Sequence, residues 1–230
     1  MKANYLTCIG VLISLNVQAQ VDLATISAQK LSGEIKFDGR VDDDAWKSIS
    51  PLALTMHWPS FAGPLTEQTE IRLAYDQQYI YLSAINRDTE PDKIQEVSFQ
   101  RDAISEQADH VVLMLDAYND NENAQVFTVN ATGSRADFTI KNDAQGGDAW
   151  NLSWNSYWDA EVVKTEDGWE AEIRVPFSSL RFQENNGKVE MGVGAYRYIA
   201  RKRELQIYPA IPPDWGFWSL AINIAKEVHK

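Results

Sequence analysis

The segment Gly168–Leu180 (GWEAEIRVPFSSL) constrains the fold more than any other stretch of the chain. Trp169, Ala171, Ile173 and Val175 alternate with Glu170, Glu172 and Arg174. That is the two-residue period of a strand with one face on a core and the other toward water. Pro176 has no N–H to offer a ladder, so the strand ends there. Phe177–Leu180 then reads as one apolar helical turn that closes the end of a sheet.

Comparable runs recur. Thr69 to Asp76 and Tyr79 to Asn86 form a hairpin across Gln77-Gln78, a pair that tight turns do not favour. Asp109 to Tyr118 is apolar on both faces, and Gln125 to Asn130 pairs with Arg135 to Ile140 around Thr132-Gly133-Ser134. Tyr157 to Val163 precedes the opening strand, and Val189 to Ala200, Leu205 to Tyr208 and Phe217 to Ile224 close the chain. Glu34 to Gly39 reads as a short strand, Val41 to Trp46 as a helical turn capped by its acids, and Asp92 to Phe99 as a helix. About ten to twelve short strands with frequent turns predict an all-β fold, an antiparallel, jelly-roll-like β-sandwich with short helical turns. One domain spans residues 34–226, preceded by a mobile leader at 20–33.

Residues 1–19 read as a secretory signal peptide: Lys2 is the positive end, Leu6 to Leu15 is mostly apolar, and Val17-Gln18-Ala19 suits a signal peptidase. The chain is thus expected to be exported to the periplasm, the cell surface or the medium. Cys8, the single cysteine, lies in this segment, so the mature chain would have no disulfide and no thiolate chemistry. A net charge of −12 argues against nucleic acid or anionic lipid as partner.

The sequence offers no HExxH, G-x-S-x-G or Gly-rich phosphate loop, and His57, His110 and His229 lie far apart. No catalytic residue is expected. Eight Trp, nine Tyr and eight Phe exceed what a core needs. Aromatic faces stack on the C–H faces of sugars, which makes the loop residues Trp58, Trp150, Trp154, Trp215 and Trp218 candidate carbohydrate platforms, with Phe61 beside Trp58. Trp46 and Trp169 read as core. Asp116, Asp120, Asn121 and Asn123 form the best oxygen cluster for a structural calcium ion. Arg197 and Arg201, four apart on a strand, read with Glu204 as a structural ion network.

The segment GWEAEIRVPFSSL resembles the family 9 carbohydrate-binding modules, which read G-[YW]-x-x-E-x-x-[IV]-P-[FW]-x-x-L. The run I-x-F-D-G-x-x-D-D-x-A-W from Ile35 to Trp46, and Ala74-Tyr75-Asp76 with Tyr79-Ile80-Tyr81, are similar to further family patterns. Leu180-Arg181-Phe182, the run from Asp116 to Gly133, and Arg197 to Glu204 resemble a subgroup found at the N-terminus of bacterial surface or outer-membrane proteins of unassigned function. The resemblance implies a non-catalytic sandwich that binds oligo- or polysaccharide, in a family whose members are often attached to glycoside hydrolases of carbohydrate catabolism. It also implies structural calcium and a sugar clamped between two tryptophans. One clamp position carries over to Trp215; the other falls near Ser105-Glu106, where no Trp stands. That gap keeps open a second reading, a docking domain associated with an outer-membrane protein. A third is a haem-binding sandwich with Met114 or Met56 and His57 or His110 as axial ligands.

Overall fold

The computed structural model describes residues 28–213, apart from Ser98 and Ile104, together with residues 225–228. Its strands in chain order are β1 (Gln29–Lys30), β2 (Thr55–Trp58), β3 (Thr69–Tyr75), β4 (Tyr79–Arg87), β5 (His110–Asp116), β6 (Ala124–Asn130) and β7 (Arg135–Ile140). They continue as β8 (Trp150–Asn151), β9 (Asp159–Thr165), β10 (Gly168–Pro176), β11 (Glu184–Asn185), β12 (Lys188–Ile199), β13 (Glu204–Tyr208) and β14 (Ala225–Val228). Five strands form one sheet in the order β1-β3-β4-β10-β9, and the other nine form the second, along β2-β13-β12-β5-β6-β7-β8 with β11 and β14 on β12. The fold is the predicted β-sandwich, antiparallel except where β1 joins β3. The predicted strand at Phe217 to Ile224, and Trp215, Trp218 and His229, lie outside the described residues, as do residues 1–27.

Strand alternation decides what each face does. Trp169, Ala171, Ile173 and Val175 of β10 meet Leu113, Phe127 and Val193 of the larger sheet in the main core. Each large apolar side chain buried there contributes about 1.5–3 kcal/mol. The Gln77-Gln78 hairpin closes because Asp76 organises it, its carboxylate accepting the N–H of Gln78 at 2.6 Å and of Tyr79 at 2.7 Å.

Five local expectations are corrected. The β10 residues facing away from the core are not simply wetted: Glu172 is fully buried. The chain from Ile35 to Ile49 lies over that outer face, with Trp46 and Ile49 packed on Ala74 and Tyr81. Residues 34–39 form no strand, and Asp43, at the start of α1 (Asp44–Lys47), gives its carboxylate to the Lys36 N–H rather than to the helix. The stretch Asp92–Phe99 contains only a 3-10 turn at Pro91–Lys93, because Gln95 accepts the Asp109 N–H and donates its own N–H to the Asp109 carboxylate instead of continuing a helix. Regular structure also starts before Glu34: Ala28 is buried and Gln29–Lys30 adds an edge to β3.

Candidate functional site

With residues 35–49 laid over the outer face of the smaller sheet, the outer face of the larger sheet carries a row of aromatic side chains. Even-numbered positions of β5 and β12 point outward there: His110, Val112 and Met114 on one, Tyr196 and Tyr198 on the other. Their odd-numbered neighbours Val111, Leu113 and Ala195 point into the core. Register sets Tyr198 between Leu205 of β13 and His110 of β5, and Leu205 in turn beside Trp58 of β2. On the other flank Phe138 of β7 and Trp150 of β8 lie 5.8 Å apart, ring centre to ring centre.

These residues line two adjoining hollows that share Glu106, Tyr198 and Leu205. The larger, about 1140 Å³, runs between Trp58 and the charged groups Glu106, Arg201 and Arg203. The smaller, about 370 Å³, is walled by Phe138, Trp150, Leu152 and Tyr196. Trp58 is 59% exposed, so its ring is available as a platform. The cleft therefore has an apolar end and a polar end joined at Tyr198, an arrangement suited to a ligand with both C–H faces and hydroxyls.

His110 is held within the sheet. Its Nδ1 donates to the Ala108 carbonyl at 2.8 Å, and its ring lies 5.3 Å from Tyr198 and 5.9 Å from Tyr196. Burial lowers its pKa, so it is neutral at physiological pH. Burial and the Glu106 charge raise the Tyr198 phenol, keeping it a protonated donor. Met114 is buried beneath the same outer face. Met56 and His57 sit on β2, across β13 and β12 from β5.

Of the five tryptophans read as platforms, Trp58 and Trp150 border this cleft, at its two ends. Trp154, only four residues beyond Trp150, goes elsewhere: it packs edge-on against Phe127 of the main core, 6.0 Å away. Ser105 and Glu106, where the resemblance puts the first clamp position, both line the larger hollow. Sequence reasoning missed Tyr196, Tyr198 and Leu205, whose signal was the Tyr-x-Tyr spacing that puts two rings on one strand face.

The basic pair at the polar end is engaged by internal partners. Arg197 points into the sandwich, fully buried, and donates to Thr69 Oγ1 and to the Arg87 carbonyl, both at 2.9 Å. Burial lowers its pKa to about 10, so it stays charged. Arg201 is not on the strand but in the 3-10 turn Ala200–Lys202, where it donates to Glu67 at 3.1 Å and to Asp88. Glu204 accepts the Thr66 N–H at 3.1 Å and Gln206 Nε2 at 2.7 Å. Glu67 also accepts from Lys202 and Thr89. Burial alone would raise its carboxyl, but these hydrogen bonds hold it down to about 2.

The acidic turn after β5 is organised by its own backbone. Asp116, buried, accepts the N–H of Asn121 at 2.8 Å and of Asp120 at 3.3 Å. Asp120 accepts the Asn123 N–H and side-chain amide, each at 2.8 Å. These carboxylates cap the turn, and among the described residues no group of three His, Cys, Asp or Glu side chains is placed to hold a metal ion.

A family profile described as carbohydrate family 9 binding domain-like matches residues 37–201. Among solved structures, a family 9 carbohydrate-binding module from Caldicellulosiruptor kristjanssonii in complex with cellotriose is 16% identical, with a TM-score of 0.58, over 89% of this chain and 92% of that one. A family 9 module from the same organism in complex with glucose aligns with a TM-score of 0.59 at 16% identity, covering 89% of this chain and 94% of that one. A Bacteroides uniformis protein named as a candidate carbohydrate-binding protein is 11% identical, with a TM-score of 0.67 over 89% and 97%. No curated protein matches by sequence.

Proposed function

This chain belongs to the carbohydrate family 9 binding domain-like family, and from that premise we propose a non-catalytic module that holds a glycan in the cleft between Trp58 and Trp150. The observation that carries the reading is the placement of Trp58, 59% exposed, in one hollow with Tyr198, Glu106 and Arg203. The aromatic faces would stack on the C–H faces of the sugar rings. The charged rim would take hydroxyls through charge-assisted bonds. The segment Met1–Ala19 would export the module, placing it where polysaccharide is met.

Affinity electrophoresis in soluble glycans, with calorimetry against cellotriose as the defined probe, tests this. Retardation and saturable heat that Trp58→Ala removes are expected. No response to any glycan, with co-purification of envelope proteins instead, would sink the proposal in favour of a docking role.

A further inference from the structure

A second pocket, about 640 Å³, opens at the other end of the sandwich and differs from the cleft in one chemical respect: no Asp or Glu lines it. In a chain with 33 acidic residues that is unexpected. Its charged wall residues are Lys141, which pairs with Asp148 at 2.8 Å, and Arg181, which is exposed and pairs with no carboxylate among the described residues. With Lys141 neutralised by Asp148, Arg181 is the one uncompensated charge among the residues described in its wall.

Its other walls suit a sugar ring. Trp154, half-buried, and Tyr118, 45% exposed, supply aromatic surface. Ser178 and Ser179 supply hydroxyls from the turn that ends the Gly168–Leu180 motif. Gln125 donates its Nε2 to the Ser179 carbonyl at 3.4 Å, while its buried Oε1 accepts no hydrogen bond from the protein. A buried carbonyl left without a donor is costly, and a ligand hydroxyl would relieve that cost. The pocket and the cleft share no lining residue, although Ile140 of the pocket pairs across the ladder with Trp150 of the cleft.

We propose that this pocket is a second, independent carbohydrate site selective for an acidic sugar, with Arg181 gripping a uronic-acid carboxylate and Trp154 and Tyr118 flanking the ring. The cleft between Trp58 and Trp150 would take neutral glycan, so one module would hold two chemically different saccharides.

The test is calorimetry of the full chain with a uronic acid disaccharide and with its neutral counterpart, in which the carboxylates are replaced by hydroxymethyl groups. Arg181→Gln, at an exposed position, should keep the fold and weaken uronate binding about tenfold or more, and Tyr118→Ala should weaken it severalfold. Trp58→Ala should leave uronate binding unchanged. Added salt should reduce the uronate affinity. Uronate binding that survives Arg181→Gln, or that Trp58→Ala abolishes, would overturn the proposal, as would absence of binding by a folded protein at millimolar uronate. Neutral-glycan binding at Trp58 is read separately, so either site can fail without the other.

Discussion

The indole N–H of Trp46 donates to Glu172 Oε1 at 2.9 Å, joining the N-terminal segment to the middle of β10. The second carboxylate oxygen accepts the N–H groups of Asp38 and Gly39, each at 3.0 Å. One fully buried carboxylate thus satisfies three donors of the segment that seals the outer face of the smaller sheet. Burial raises its pKa, the hydrogen bonds opposing that shift. A glutamine there can present a carbonyl oxygen to only one side and turns an NH₂ toward a buried donor on the other. Glu172→Gln should therefore cost about 1–3 kcal/mol of stability at neutral pH. Urea unfolding followed by circular dichroism would show this, and an unchanged midpoint would contradict it.

Gly168 begins β10 with φ at +147°, and a Cβ built on it would lie 2.0 Å from the Asn86 carbonyl oxygen, with Arg87 Cα at 3.0 Å. Both neighbours are backbone in the β4–β10 ladder and cannot swing aside. Gly168→Ala should destabilise by about 3 kcal/mol or more, since it adds backbone strain to a displaced ladder. A thermal midpoint within a degree or two of the unsubstituted protein would show that the hairpin tolerates the shift.

Much of this architecture was legible because strand alternation and turn residues act locally. β10, the Asp76 hairpin and the doubly buried β5 follow from neighbours a few residues apart. The cleft does not, because its residues come from strands separated by up to six ladder steps, and Tyr196 and Tyr198 read in isolation like any half-buried strand pair. Trp150 and Trp154 show the same limit. Their four-residue spacing suggests a shared loop surface, yet β8 holds Trp150 on the outer face and the following turn carries Trp154 to Phe127. Glu172 read as wetted because nothing in β10 itself announces that residues 35–49 will cover it.

The Glu67 network predicts an acid-side loss of stability. Glu67 is 3% exposed, and its hydrogen bonds hold the folded carboxyl down to about 2, below the ordinary 4.5. The unfolded chain therefore binds the proton more readily. The group's contribution is present above pH about 4.5 and falls away as pH drops toward 2. The gap between those values corresponds to about 3 kcal/mol at neutral pH. Urea unfolding of Glu67→Gln beside the unsubstituted protein should show a difference of that order at pH 7, shrinking markedly by pH 3. Parallel pH profiles for the two proteins would remove Glu67 from the account.

Tyr198 is the residue at which the two hollows meet, and its two parts can be tested apart. If the ring is the platform and the phenol only a rim donor, Tyr198→Phe should lower cellotriose affinity less than Tyr198→Leu does, by about two- to twelvefold for a hydrogen bond worth about 0.5–1.5 kcal/mol. Tyr198→Leu keeps an apolar side chain over the sheet but removes the aromatic face, and should cost about tenfold or more. Trp150→Ala should weaken binding of longer oligosaccharides more than that of glucose, because Trp150 lies at the far end of the cleft from Trp58. Calorimetry across a series from glucose to cellotriose reads all three variants. An equal loss with Tyr198→Phe and Tyr198→Leu would move the recognition from the ring to the hydroxyl, and a Trp150→Ala effect independent of chain length would confine the ligand to the end of the cleft beside Trp58.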